Sequence, residues 1–277
     1  MKKVLKLKNF LIGTTLLLLL GLAYILFTDD YTQAKFRTMQ DPIASTKKVD
    51  FKGLREIQAS GGPIVNFPDL QKKINGKQKH IIIVDGMWEY HGYINGIPTT
   101  YFGYQKHDLD LRYLLRRLLF TGTTNIRRDL VTLEPDMAKS YGYDYRNIQI
   151  DSKALTTDKA VDEYVAFVDS LTPDTWVHFH CRLGKGRTSM MLVMFDTMQN
   201  APQVPLKDII KRQRILGSEN LANTISKKGG TYTSETLTNR KKFIENFYEF
   251  ICQRKAGGIQ RWSEWNHLRQ VALKSTP

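Results

Sequence analysis

The passage from Trp176 to Asn200 constrains this chain more than any other. Trp176-Val-His-Phe-His180 reads as a strand that ends abruptly at a loop carrying Gly184 and Gly186. Met190–Met198 then reads as a mostly apolar helix, ending near Asn200 with Pro202 beyond it. His80-Ile-Ile-Ile-Val-Asp85 is a second short β-branched run, of the kind buried in parallel sheets. Val161–Leu171 and Phe243–Cys252 are further helix candidates. Leu109–Leu119 predicts a basic amphipathic helix, with Leu111, Leu114, Leu115, Leu118 and Leu119 on one face. Strands alternating with helices predict an α/β fold with a mainly parallel sheet. Ligands of such sheets sit beyond the carboxyl ends of the strands, and the strand ending at His180 delivers the chain to that edge.

With 42% hydrophobic and 25% charged residues, the 277-residue chain has a globular and not a disordered composition. Its two cysteines exclude a disulfide framework and a Cys-based zinc module. Lys and Arg number 41 against 27 Asp and Glu, a formal charge of +14 that attracts polyanions. No zinc finger, RNA-recognition signature or Arg-rich arm accompanies that charge, so nucleic acid is not an expected partner.

Lys2, Lys3, Lys6 and Lys8 precede an uncharged run from Phe10 to Phe27, and Asp29 and Asp30 follow it. At 1.5 Å rise per residue that run spans roughly 27 Å, close to a bilayer core. The lysines before the run place the remainder outside the cytoplasm. Thr32-Gln33-Ala34 offers a small-x-small cleavage site. Residues 1–34 are therefore expected to be a signal or anchor and residues 35–277 one exported domain. That domain would be periplasmic or at the cell surface, tethered to the membrane through residues 10–27 if the segment is not cleaved.

The loop carries the chemistry. It reads His180-Cys181-Arg182-Leu183-Gly184-Lys185-Gly186-Arg187-Thr188. Between a strand and a helix, the backbone N–H groups of residues such as Leu183 can turn inward as an anion nest, backed by the positive end of the following helix. Gly184 and Gly186 permit the torsions and close approach such a cradle needs. The same field favours the thiolate of Cys181. Arg187 can grip two phosphate oxygens, and Thr188 can donate its hydroxyl to the sulfur. Cys252 is remote in sequence and His178 and His180 make no recognisable ligand set, so a bound metal is not expected.

This loop resembles, residue for residue, the His-Cys-x5-Arg-Thr/Ser signature of cysteine-dependent phosphatases. The resemblance narrows to the bacterial protein-tyrosine-phosphatase-like inositol phosphatases, or cysteine phytases. Leu206–Gln213, Phe36-Arg-Thr-Met39, Trp262-Ser-Glu-Trp265 and the segment Glu89-Tyr-His91-Gly-Tyr-Ile-Asn-Gly96 are similar to elements of that family. It implies a phosphatase core with a mainly parallel sheet flanked by helices, plus a small β-rich subdomain. It also implies stepwise removal of phosphates from myo-inositol polyphosphates by a mechanism that needs no metal and no organic cofactor.

The family's general acid, an Asp at a strand end, corresponds to Asp151 in Ile148-Gln-Ile-Asp151, 30 residues ahead of Cys181. Asp158 is the competing acid. His180 is expected to hold the loop by hydrogen bonding, and Glu89 and His91 to support it from beneath. Arg182, Lys185 and Lys153 are expected to recognise phosphate or substrate. Lys211, Arg212 and Arg240-Lys-Lys242 either extend this basic rim or are plain surface, while Tyr141, Tyr143 and Tyr145 pack. Gly-Lys-Gly also resembles phosphoinositide phosphatases, so phosphoinositides and phosphoproteins stand as alternative substrates. A catalytically silent module that binds inositol phosphates or lipids is the alternative outside enzymes. Oxidation of Cys181 to a sulfenic acid, or to a bridge with Cys252, is expected to inactivate an exported thiolate enzyme.

Overall fold

The computed structural model describes residues 2–27, 35–43, 48–74, 80–88, 91–94, 96–99, 114–115, 118–119, 121–125, 127, 129–151, 156–226 and 232–274. The chain divides into two units, Met1–Tyr31 with Glu89–Thr132 and Thr32–Trp88 with Leu133–Pro277.

The larger unit is built on five strands: β1 (Arg37–Thr38), β2 (Ala59–Gly62), β3 (His80–Asp85), β7 (Asp144–Asn147) and β8 (Thr175–His180). Their order is β1-β2-β8-β3-β7. Only β1 runs antiparallel to its neighbour. β8 lies between β2 and β3, which explains why all six of its residues are buried, the polar Thr175, His178 and His180 included. The register sets Gly62 and Asp85 beside His180, and Asn147 beside Asp85. Four strands thus finish in one row, and whatever follows His180 emerges at that edge.

Helix α5 (Gly186–Asn200) starts directly from the loop after β8. Gly186 through Met198 are all buried, so the helix is sunk into the unit and not laid on its surface. Its side chains pack with Val84, Val177, Phe179, Phe247, Phe250 and Trp262 in one core. Each large apolar side chain buried there contributes about 1.5–3 kcal/mol. Helices α2 (Phe67–Ile74), α3 (Glu134–Ser140), α4 (Asp158–Asp169), α6 (Leu206–Ile215), α7 (Ser234–Lys255) and α8 (Trp262–Lys274) complete the unit. Tyr164 of α4 donates to the carbonyl of Met191 on α5 at 2.7 Å.

In the smaller unit, β4 (Gly92–Ile94) pairs antiparallel with β5 (Ile97–Thr99). Strand β6 (Thr132–Leu133) completes a sheet of order β5-β4-β6. Helix α1 (Lys2–Phe27) contains a stretch, Lys6–Tyr24, long and apolar enough to cross a membrane.

The sequence expectations differ from this structure at several points. The helices expected at Val161–Leu171 and Phe243–Cys252 are α4 and the middle of the longer α7. Most of Leu109–Leu119 lies outside the described residues, and of its apolar positions Leu114, Leu115, Leu118 and Leu119 are helical. Ile148–Asp151 is not strand: β7 stops at Asn147. Arg212 belongs to no basic rim. It is fully buried, its guanidinium gripping Asp196 and donating to the carbonyls of Asp50 at 3.2 Å and Lys52 at 2.8 Å. Gln213 and Asn200 also donate to Asp196, at 2.8 and 3.0 Å.

A buried cation whose carboxylate is removed has no compensation. Asp196→Ala is therefore expected to cost about 3–5 kcal/mol, read as a lowered midpoint in urea denaturation.

Candidate active site

The loop after β8 is held from both sides. Gly184 has φ +65°, and a Cβ there would stand 2.6 Å from the carbonyl carbon of Gly62 and the nitrogen of Pro63. Glycine is required on both counts, torsion and contact. On that side Ile64 N–H donates to the carbonyl of Arg182 at 3.4 Å, and Leu183 bridges to Pro63. Beneath the loop lies Arg37, only 2% exposed. It donates to the carbonyl of Gly184 at 2.9 Å, to Ser189 Oγ at 3.1 Å and to Ser218 Oγ at 2.9 Å. Burial lowers the Arg37 pKa to about 10, against the opposing pull of Cys181 and Glu219. One guanidinium so ties β1, the loop, the first turn of α5 and the segment after α6 together.

Cys181 is 3% exposed at the centre of this loop. Burial pushes its thiol pKa up, but other groups outweigh it: the Arg187 charge, the Thr188 hydroxyl, and backbone hydrogen bonds from Thr188 and Leu183. The net shift is below the ordinary thiol value. Thr188 Oγ1 lies 3.0 Å from the sulfur and also 3.2 Å from the carbonyl of Gly62. Arg187 is nearly buried, and its Nη1 reaches the carbonyl of Gly86 at 3.4 Å. A thiol of lowered pKa, a guanidinium and the Leu183 and Thr188 amides facing the sulfur, all at one helix N-terminus, are an arrangement able to receive a tetrahedral dianion.

The floor of the loop is a buried polar layer. His180 Nε2 faces Glu134 Oε2 at 3.2 Å and Asp85 Oδ1 at 3.6 Å. Asp85 accepts from Tyr145 Oη at 2.7 Å, Asn147 Nδ2 at 2.9 Å and the amide of Met87 at 2.8 Å. Burial, then the charges of Asp85 and Glu134, hold the Tyr145 phenol well above its ordinary range, so it stays a donor. Tyr145 thus does more than pack, unlike Tyr141 and Tyr143, which stack on Phe67. The ligand atoms of Asp85, Glu134 and His180 lie within 4.8 Å of one another, near enough to share a cation, although Asp85 already accepts three donors.

Trp176 Nε1 donates to Ser60 Oγ at 2.8 Å, which leaves the Ser60 hydrogen for His178 Nδ1 at 2.9 Å. Burial, reinforced by His180, lowers the His178 pKa to about 3.

Among the residues expected at the site, His180, Cys181 and Arg182–Thr188 come together in this one loop, with Arg182, Leu183 and Lys185 half-buried. Asp151 is half-buried, four residues beyond the end of β7. Asp158 sits in the first turn of α4, whose N-cap is Thr157, and accepts from Trp262 at 2.7 Å and Asn266 at 2.9 Å. Its carboxylate is engaged with α8. Lys153 and Glu89 lie outside the described residues, and His91 belongs to the smaller unit just ahead of β4. The expected bridge to Cys252 does not fit. Cys181 touches the first turn of α5, whereas Cys252 lies one turn from Lys255, which bonds the carbonyls of Gln199 and Ala201 at the other end of that helix. A 15-residue helix is about 22 Å long, far beyond disulfide reach.

Arg37, Ser60, Asp85, Glu134 and Ser189 were not singled out from the sequence as site residues. One signal was available for Asp85, a carboxylate closing an otherwise apolar strand at the carboxyl edge of the sheet.

Fold and loop together define the protein-tyrosine-phosphatase-like class. The family model for PTP-like phytase, described as inositol hexakisphosphate, matches residues 120–199. An uncharacterized protein of Xanthomonas campestris, AvrBs1.1, is 39% identical over 95 residues, covering 33% of this chain and 88% of that protein. The PTP-like myo-inositol phosphatase of Mitsuokella multacida, solved with myo-inositol-(1,3,4,5)-tetrakisphosphate, superposes with TM-score 0.68 at 22% identity, covering 86% of this chain. This chain spans 48% of that one, about half its length. A PTP-like phytase of Bdellovibrio bacteriovorus gives TM-score 0.62 at 22% identity, over 87% of this chain and 93% of its own. The chain belongs to the PTP-like phytase family.

His178 ties stability to pH. Its pKa is 6.5 when unfolded and about 3 in the fold, so its contribution is complete above pH 6.5 and is lost as pH falls from 6.5 toward 3. The loss is about 1.4 kcal/mol per pH unit within that window. Urea midpoints between pH 7.5 and 4.5 are expected to fall less steeply for His178→Gln than for the parent protein.

Proposed function

We propose that this chain is a phosphomonoesterase that removes phosphates from myo-inositol polyphosphates through a cysteinyl-phosphate intermediate. The observation that carries this reading is the Thr188 hydroxyl 3.0 Å from a buried Cys181 sulfur whose thiol is shifted toward thiolate. Cys181 attacks phosphorus in line with the leaving oxygen. Arg187 and the amides of the loop hold the equatorial oxygens as charge redistributes among them. Asp151 protonates the leaving alkoxide and then takes a proton from the water that cleaves the phosphorus–sulfur bond. Thr188 donates to the departing sulfur in that second step. Likeness to a structure solved with an inositol tetrakisphosphate supports the substrate class, as does the net charge of +14. AvrBs1.1 carries no substrate in its description, so phosphoinositides and phosphotyrosine peptides are offered beside phytate.

Phosphate release is to be measured from the fragment beginning at Thr32, with chelator present. The expected result is turnover that is fastest on phytate and absent in Cys181→Ser. Release mainly from lipid or peptide would keep the mechanism and change the substrate; no release from any of the three would remove the enzymatic reading. Thr188→Ala takes a donor from the thiolate, so the thiol pKa rises. The acid limb of the pH–rate profile should therefore move to higher pH, and iodoacetamide alkylation of Cys181 should move with it.

The Lys6–Tyr24 stretch supports a signal or anchor. An anchored chain is expected in the membrane pellet after alkaline carbonate washing; a cleaved one appears soluble and shortened at its N-terminus.

A further inference from the structure

Arg37 carries a charge that its surroundings leave without a counter-ion. It is 2% exposed, yet every acceptor it meets is neutral: the carbonyls of Lys35 at 2.8 Å and Gly184 at 2.9 Å, Ser218 Oγ at 2.9 Å and Ser189 Oγ at 3.1 Å. Among the described residues no carboxylate stands within ion-pair distance of it. The fully buried Arg212, by contrast, has Asp196. Neutral oxygens satisfy the donors of a guanidinium but not its charge, which stays costly until an opposite charge faces it.

The opposite charge within reach is the loop's own. Of the groups that favour the protonated guanidinium, Cys181 comes first and Glu219 second. His178 of β8 also faces Arg37, but burial holds it neutral, with a pKa of about 3. Around the sulfur stand Arg187 and Thr188 of α5, Tyr232 ahead of α7 and Arg37 of β1. Arg187 exerts the larger pull on the thiol. Arg37 bonds the loop's backbone instead. In a trans peptide the carbonyl and the following N–H point in opposite directions, so holding the Gly184 carbonyl turns the Lys185 amide away from Arg37.

We propose that Arg37 is the counter-charge of the anion in the loop, a positioning residue that favours first the Cys181 thiolate and then the phosphoryl group held there, without touching substrate. The proposal rests on the phosphatase reading above and adds to it a second cation, carried by β1, whose role is electrostatic as well as that of a brace. In a poorly hydrated interior such a charge acts over several ångströms with little screening.

Arg37→Lys keeps the charge and Arg37→Met removes it. Alkylation of Cys181 by iodoacetamide is followed against pH, with the modified cysteine identified by peptide mass so that Cys252 is counted apart. Arg37→Met is expected to displace the profile upward by about one pH unit, a roughly tenfold slower reaction on the acid side. The acid limb of kcat/KM on p-nitrophenyl phosphate should move with it, and Arg37→Lys should recover most of the displacement. An unmoved profile in a folded Arg37→Met protein would overturn the proposal. So would equal displacement in both variants, which would assign the effect to hydrogen-bond geometry and not to charge. Should Arg37→Met not fold, the parent protein carries the test, through the Arg37 Nε–H resonance in proton–nitrogen NMR spectra. That resonance is expected to shift as Cys181 titrates and again when inorganic phosphate is added; in Cys181→Ser only the phosphate shift should remain. A resonance indifferent to both would overturn the counter-charge. Neither alkylation nor the resonance needs turnover, so an inactive parent protein would count against the phosphatase reading alone.

Discussion

A buried cysteine thiol whose pKa is nevertheless lowered is the condition on which the rest of this structure depends. At 3% exposure, burial by itself would raise the Cys181 pKa. The Arg187 charge, the Thr188 hydroxyl and two backbone contacts reverse that, and each depends on the loop keeping its shape. Inward amides are available only if the chain turns sharply at Gly184, where the Gly62–Pro63 peptide leaves no room for a side chain. Arg37 then holds the turn by its carbonyl from below. The electrostatics are thus a consequence of backbone geometry fixed by contacts.

That geometry is inherited from strand register. Because β2, β3, β7 and β8 finish abreast, Gly62, Asp85, Asn147 and His180 form one row under the loop. Asp85 and Glu134 flank His180 within this buried layer, and Tyr145 and Asn147 both donate to Asp85. Buried polar groups of this kind are costly unless fully partnered, so the layer discriminates strongly against any shift of one strand past another. A one-residue slip would separate His180 from both carboxylates. Asp196 and Arg212 act in the same manner at the junction of α5 and α6, anchoring the helix that leaves the loop.

The loop itself was legible because its constraints are local. Cysteine, two glycines, arginine and threonine at fixed spacing between a strand and a helix specify a cradle without reference to distant chain. Asp85 was half legible, as a charge ending an apolar strand. Arg37 and Arg212 were not: the segments that hold them resemble family elements, but their local sequence does not tell an arginine crossing beneath a loop from one on the surface. Their partners, Gly184, Ser218, Asp50 and Lys52, are far away in sequence. The end of the strand before Asp151 was misplaced for a related reason. Ile148-Gln-Ile has strand composition, yet β3 offers paired positions only as far as Asn147, and beyond it the chain departs from the sheet. Cys252 could be separated from Cys181 only once α5 was seen to lie between them.

By itself the sequence determined the alternation of strands and helices, the position of the loop at a strand's carboxyl end, and the chemistry its side chains can perform. These follow from short-range sterics and from the burial preferences of neighbouring residues. Tertiary structure decided which charged residues are buried and what they meet. It made a brace of Arg37 and a lock of Arg212, and set Asp85 and Glu134 against His180. Each outcome turns on desolvation, and the water a charged group loses depends on what the whole fold brings against it, which no local stretch of sequence specifies.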